Sequence, residues 1–180
     1  RSHFKERRTK VSDKDYPALS VAREGIVPQL ETAVKTDNGD NRKLVLKNDF
    51  VVNSRSDRKG SCGVSDYDGS VSLISIVLEP RDIYSKYAHH LFRSNNYIEE
   101  FYRNGRGIVA DLWTTRYSEM KNIFMPIPPN KEQVSIVSAI NSMSEKIDTL
   151  TTKLNAQIGY LKELKQRIIS DAVTGKVRVR

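Results

Sequence analysis

Residues 128–176 read PPNKEQVSIVSAINSMSEKIDTLTTKLNAQIGYLKELKQRIISDAVTGK. From Lys131 to Thr174 there are 44 residues with no proline and a single glycine, Gly159. Apolar side chains recur at Ile136, Ile140, Met143, Ile147, Leu150, Leu154, Leu161, Leu164 and Ile168, mostly by alternating steps of four and three. That spacing keeps one stripe turned toward a partner helix, so the stretch predicts one long helix with a coiled-coil seam. Pro128 and Pro129 keep the helix from starting earlier, Asn130 and Gln133 have the spacing of a reciprocal N-terminal cap, and Gly175 supplies the left-handed residue that ends helices. At 1.5 Å per residue the helix is about 66 Å long, more than the core of a small domain can cover, and it needs a partner helix. Gln157 and Asp171 fall where the pattern asks for apolar residues. Polar seam residues of this kind fix register; a bend or an exposed stretch of helix fits them equally.

The triplet Thr174-Gly175-Lys176 also occurs in phosphate-binding loops. Such a loop leads into a helix and places a hydroxyl residue after the lysine. Here Val177 follows, and three more residues complete the sequence. The triplet is a helix stop.

The chain has 180 residues, enough for one domain plus an appendage. No stretch has the apolar length of a membrane span, and the single Cys62 cannot form an internal disulfide, which favours a reducing, cytoplasmic setting. Arg1-Ser2-His3, without a leading methionine, suggests a fragment or an expression remnant and is left out of fold reasoning. The formal charge is +8 and the pI about 9.6, an excess that argues for a polyanionic partner. Half of it, +4, lies on residues 1–130 and half on 131–180, so both parts are basic.

Ahead of the helix, residues 16–130 read as a mixed domain. YPALSV (16–21), LVLKNDFVVNS (44–54) and SVSLISIVLEP (70–80) have the composition of strands. Asp68-Gly69, between CGVSDY and SVSLIS, is a hairpin signal. In residues 82–105 the apolar spacing changes to three and four, which predicts one broken helix or two short ones, with Asn96 and Glu99 as a cap. Strands followed by helices give an α+β fold. The expected division is a globular domain over residues 4–127 and a long helix over 128–180.

Two loops carry residues suited to DNA. NSRSDRKGSCG (53–63) presents Asn53, Ser54, Arg55, Ser56, Arg58 and Lys59, and RNGRGIVADLWTTR (103–116) presents Arg103, Arg106 and Arg116 among glycines. Arginine can grip guanine edges and asparagine adenine edges, while serine and lysine suit phosphates. A solvated surface loop has the same composition, and Trp113 fits a core position better than a stacking platform.

No catalytic constellation emerges. Gly105-Arg106-Gly107 lacks the third glycine of a dinucleotide loop. His89 and His90 are adjacent, so on a helix they diverge by about 100° and cannot clasp one metal. Glu163-Leu164-Lys165 resembles half of a nuclease motif but lies within the seam helix, without a strand-borne aspartate. The sequence calls for no cofactor and no metal.

MPIPPNKEQVSIVSAINSMSEKIDTL (125–150) followed by LKELKQRIISDAVTGKVRV (161–179) resembles the specificity subunit of type I restriction-modification systems, through Pro-Pro-x-x-Glu-Gln leading into a long helix and Ile-Ser-x-Ala-Val-Thr-Gly-Lys closing it. YPALSVAREGIVPQ (16–29), NSRSDRKGSCGVSDYDGSVS (53–72) and GIVADLWTTR (107–116) look like its target-recognition domain. The resemblance implies a non-catalytic reader of double-stranded DNA. In that family two recognition domains, separated by two antiparallel helices, each read one half of a gapped site. Modification subunits dock on the helices, bring S-adenosylmethionine and methylate adenine, and restriction subunits join through them. One domain and one helix correspond to half of such a subunit, natural or excised, whose seam awaits a second half or a second copy. Under this resemblance Asn53, Arg55, Ser56, Arg58, Lys59, Arg106 and Arg116 are candidates for DNA contact, and Ile140, Ile147, Leu150, Leu154, Leu161, Leu164 and Ile168 for the helix interface. Two readings from other classes stand beside it: a coiled-coil assembly module whose globular domain binds protein, and a compact restriction nuclease.

Overall fold

The computed structural model describes residues 3–30, 39–108 and 113–177. Residues 109–112, part of the second candidate loop, and 178–180, the end of the basic tail, lie outside them, as do Arg1 and Ser2. The fold is α+β with a long C-terminal helix. It divides into two compact units, Arg1–Val137 and Ser138–Arg180.

Among the described residues of the first unit, nine strands form three antiparallel sheets. The four-stranded sheet has the order β1 (Phe4–Glu6), β9 (Ile76–Pro80), β6 (Phe50–Val52), β7 (Cys62–Val64). A three-stranded sheet has the order β2 (Lys10–Val11), β5 (Arg42–Val45), β8 (Gly69–Val71), and β3 (Leu19–Val21) pairs with β4 (Ile26–Pro28). Two short helices follow the strands, α1 (Ser85–Phe92) and α2 (Asn95–Arg103), and then a single turn, α3 (Tyr117–Met120).

The uninterrupted apolar runs of β6 and β9 have a period-two explanation. Successive side chains of a strand point to opposite faces. Phe50, Val52, Ile76 and Leu78 pack on the face shared with Tyr87, Phe92, Tyr97 and Phe101 of the helices. Val51 and Val77 turn the other way, onto Leu19, Ile26, Val45 and Val71. The central strands are therefore covered on both faces, which removes the polar alternation of a half-exposed strand. Phe50 is fully buried, with its ring centroid 4.5 Å from that of Phe92, and burial of such a side chain stabilises by about 1.5–3 kcal/mol.

Each of the two longest strand-like runs is broken in two. LVLKNDFVVNS bends at Leu46–Asp49, where Asn48 takes φ 72°. The buried Asp49 carboxylate accepts from the Leu46 amide at 2.9 Å and from the Arg7 guanidinium at 2.7 and 3.1 Å. SVSLISIVLEP breaks at a turn in which the Ser75 amide donates to the Ser72 carbonyl at 3.0 Å. Asp68-Gly69 is not a hairpin, because β7 pairs with β6 while β8 pairs with β5. Asp68 instead accepts from the Lys47 amide at 2.7 Å. Gly69 is small because a Cβ there would sit 2.6 Å from the Pro17 carbonyl oxygen. Strands β1 and β2, ahead of residue 16, were not legible in the sequence.

Residues 82–105 form two helices, and Ser94 caps the second by accepting from the Tyr97 amide at 3.4 Å. Asn96 and Glu99 do not serve as the cap; Glu99 meets Lys59 at 3.4 Å.

Helix α4 spans Asn130–Val173, 44 residues. It starts one residue earlier than expected, and Gln133 does not reach back to Asn130. Its buried amide accepts from the Tyr84 amide and donates to the Pro128 carbonyl, both at 2.8 Å. Gly175, at φ +73°, follows the last turn as expected. Within Ser138–Arg180, Met143, Ile147, Leu150, Leu154, Leu161, Leu164 and Ile168 are each more than half exposed in the single chain, and Ile140 is half-buried. Ile158, beside Gln157, is about half exposed as well. Asp171 lies 3.7 Å from Arg167 and 3.9 Å from Lys176, at the helix stop. Among the described residues no helix is long and apolar enough to cross a membrane.

Candidate nucleic-acid interface

The two candidate loops lie side by side. Thr114 forms isolated β-bridges to both Arg55 and Arg106. The Thr115 amide donates to the Ser54 carbonyl at 3.1 Å, and the buried Thr115 hydroxyl donates to the Phe101 carbonyl at 2.8 Å. The first loop leaves β6 through an Asx turn, in which Asn53 Oδ1 accepts from the Arg55 amide at 3.1 Å. A single 3₁₀ turn, Ser56–Arg58, follows. Tyr102 holds the loop from below by donating its hydroxyl to the Arg55 carbonyl at 2.9 Å. Burial pushes this phenol up to about 12, helped by Asp57, Cys62 and Glu99, so it stays a donor.

This loop forms one wall of an open groove of about 720 Å³. Asn53, Arg55, Arg58 and Lys59 line it, and β3 with the turn after it contributes Arg23 and Glu24 on another side. Arg55 and Arg58 flank Asp57 at 3.2 and 3.8 Å. Lys59 also lies 4.8 Å above the Tyr102 ring. These contacts are exposed or half-exposed, where an ion pair contributes about 0–1 kcal/mol, so the cations can exchange their carboxylates for other anions at little cost. Arg42, at the groove floor, is different in kind. It is buried, and its guanidinium donates to Ser70 Oγ and the Ser70 carbonyl at 2.9 and 3.0 Å. Desolvation draws its pKa down, and its role is to hold the floor.

A second groove, of about 450 Å³, takes Arg116 together with Arg8, Lys10, Lys43 and Glu6. Lys10 and Lys43 are register partners on β2 and β5. Lys43 Nζ donates to the Ser75 carbonyl at 2.7 Å, and burial lowers its pKa. None of the three basic partners of Arg116 belongs to the loops singled out from the sequence. They come from β2, β5 and the segment between β1 and β2, and an antiparallel cross-strand register cannot be read without knowing the pairing.

The remaining candidates lie differently. Ser56 turns its hydroxyl inward, where it is buried without a hydrogen-bond partner among the described residues. Arg106 reaches toward Glu119 at 3.8 Å, with its side chain 83% exposed. Trp113 is 38% exposed and is not a core residue; its carbonyl accepts from the Ser56 amide at 2.9 Å. His89 and His90 are half-buried neighbours with edge-on rings 5.4 Å apart.

No family model matches the chain. It is 25% identical over 157 residues to the StySPI type I restriction enzyme specificity subunit of Salmonella potsdam, a match covering 82% of this chain and 34% of that protein. Its fold is similar to a chain of a type I R-M system solved to explain complex assembly and conformational transition, with TM-score 0.61 and 16% identity over 94% of this chain and 40% of that one. The HsdS subunit from Thermoanaerobacter tengcongensis is also similar, with TM-score 0.52 and 20% identity over 75% of this chain and 32% of that one. The chain thus spans about a third of the length of the curated relative it matches. In sequence the chain is similar to a type I restriction enzyme specificity subunit, and in fold to chains of type I restriction-modification systems, an HsdS subunit among them.

Proposed function

We propose that this chain reads one half of a gapped duplex-DNA target without catalysing a reaction itself, and that it positions adenine-methylating modification subunits, and through them restriction subunits, on that target. The observation that carries the reading is the presence, in one chain, of two basic grooves on an α+β scaffold and a helix whose apolar stripe is exposed from Met143 to Ile168. Its relation to type I specificity subunits supports the same assignment. Exposed arginines and lysines in the grooves supply the salt-sensitive phosphate contacts that dominate protein–DNA affinity. The seam serves assembly: a second half-subunit or a second copy covers it, and when two copies pair antiparallel about a two-fold axis the homodimer carries one domain at each end and reads equal, inverted half-sites. The gap between them stays unread.

The test is selection of bound sequences from a random duplex pool by the chain with modification subunits present. A gapped inverted repeat supports the proposal. An ungapped site bound by a demonstrably monomeric chain refutes it, and unequal halves point to a different second domain. Substituting Arg55, Arg58, Lys59 and Arg106 together by alanine should weaken binding and flatten its salt dependence; an unchanged affinity and slope removes these residues from the interface. If the globular domain binds protein instead, the wild-type chain will show no salt-dependent affinity for duplex.

A further inference from the structure

The two basic grooves share a wall. Ser72 and Ser75 line the first, Leu73 and Ile76 line the second, and Ile74 lines both. The wall is the four-residue turn Ser72–Ser75 between β8 and β9. Its chemistry runs against turn preference, since glycine, proline, asparagine and aspartate favour such positions and here the two central residues are Leu73 and Ile74. The turn is instead fixed from outside. The Ser54 hydroxyl donates to the Ile74 carbonyl, Lys43 donates to the Ser75 carbonyl at 2.7 Å, and Ser75 itself is buried. What this rigid support presents to solvent is Ser72 and Ile74, the latter 42% exposed.

On either side the charge is positive. Arg23, Arg58 and Lys59 border the turn in one groove, and Arg8, Lys10 and Arg116 in the other. Lys10 opposite Lys43 is a like-charge cross-strand pair, which costs stability; a local rule broken in this way is characteristic of functional surfaces. An uncharged ridge between two cationic troughs matches a duplex groove, whose floor of base edges runs between two phosphate chains. The ends of a closed turn lie less than about 7 Å apart. With side chains added, that is too broad for a minor groove of about 6 Å and within a major groove of about 12 Å.

We infer that the Ser72–Ser75 turn enters the major groove of the DNA and determines sequence preference there, with Ile74 and Ser72 against base edges and the two basic troughs on the flanking phosphate chains. Ile74 has the chemistry for a thymine methyl group, and Ser72 can donate to or accept from any base edge. This inference rests on the proposed DNA-reading function and assigns its specificity to residues outside the two charged loops.

The experiment is sequence selection from a random duplex pool together with anisotropy titrations at several salt concentrations, using the full chain. Ile74→Ala and Ser72→Ala, both at exposed positions, should keep the wild-type melting temperature and salt slope. Each should relax one half-site position, with about a tenfold loss of discrimination there. Arg58→Ala and Lys10→Ala, one from each trough, should keep the preferred sequence, weaken all sequences alike and each lower the salt slope by about one. Unchanged preference in both turn variants overturns the inference, as does a salt slope that responds on one flank only. If the wild-type chain shows no salt-dependent duplex binding, the proposed function fails with it; if it binds selectively and only the turn variants are silent, the function stands and this assignment falls.

Discussion

Replacing Leu154 and Leu161 together with aspartate separates the helix seam from everything else in the chain. The two side chains are 58% and 64% exposed in the single chain, so the substitutions remove little that stabilises the monomer, and exposed changes of this kind stay within about 0.5 kcal/mol. In an assembly the remaining exposed fraction becomes buried. Complete burial of a leucine contributes about 1.5–3 kcal/mol, so six-tenths of it gives about 1–2 kcal/mol per residue, or about 4–8 kcal/mol for the four leucines of a two-fold dimer. That alone weakens association at least about a thousandfold, before any cost of burying four carboxylates. Thr152→Asp with Gln166→Asp adds the same charge off the seam and serves as the control. Sedimentation velocity should show the seam variant as a monomer with wild-type melting of the first unit, and the control as the wild-type assembly. An unchanged sedimentation profile for the seam variant, with modification-subunit binding intact, would refute the reasoning.

Asp49→Ala leaves the Leu46 amide and the Arg7 guanidinium without their shared acceptor and should cost about 3 kcal/mol, read as a lower urea midpoint. Gly69→Ala drives a methyl to 2.6 Å from the Pro17 carbonyl and should cost about 1–3 kcal/mol, whereas Gly159→Ala, with open space around it, should be neutral or stabilising by up to about 1 kcal/mol. Burial, then Arg93 and His90, pull His89 from 6.5 down to about 4. The unfolded chain therefore takes up this proton first, and stability falls as pH drops from about 6.5 to 4. With the ring half in water the effect is about 1–2 kcal/mol; His89→Leu should flatten the melting temperature across that window, and a variant that keeps the wild-type pH dependence would place its origin elsewhere.

The long helix was legible because its signals are local: a seam period that holds from Ile136 to Ile168, prolines before it and a glycine after it. The strand content was legible for the same reason, yet the division of LVLKNDFVVNS was not. Its bend depends on Asp49 meeting Arg7, 42 residues away. Ser72–Ser75 read as strand interior because Leu73 and Ile74 carry no turn signature, and the bonds that hold the turn come from Lys43 and Ser54. The first charged loop was found by composition, and six of its residues, Asn53, Arg55, Asp57, Arg58, Lys59 and Ser61, line one groove. The second groove was missed because Lys10 and Lys43 meet only through the pairing of β2 with β5, and Arg8 and Arg116 join them only in the folded chain. Gln133 was read as a cap residue from its spacing, whereas its partners are set by packing against Tyr84 and Pro128.

The first charged loop is held by its backbone. Tyr102 grips the Arg55 carbonyl, Thr115 grips that of Ser54, the Ser61 carbonyl accepts from the Asn53 amide, and the Ser56 amide donates to Trp113. None of these bonds uses the side chain of Arg55, Arg58 or Lys59. Support and surface charge are thus written in separate atoms, and the three side chains can be exchanged almost freely without redrawing the path of the loop. Substitutions at these three positions change the charge of the groove wall while staying nearly silent in stability, which makes this surface far more mutable than the fold that presents it.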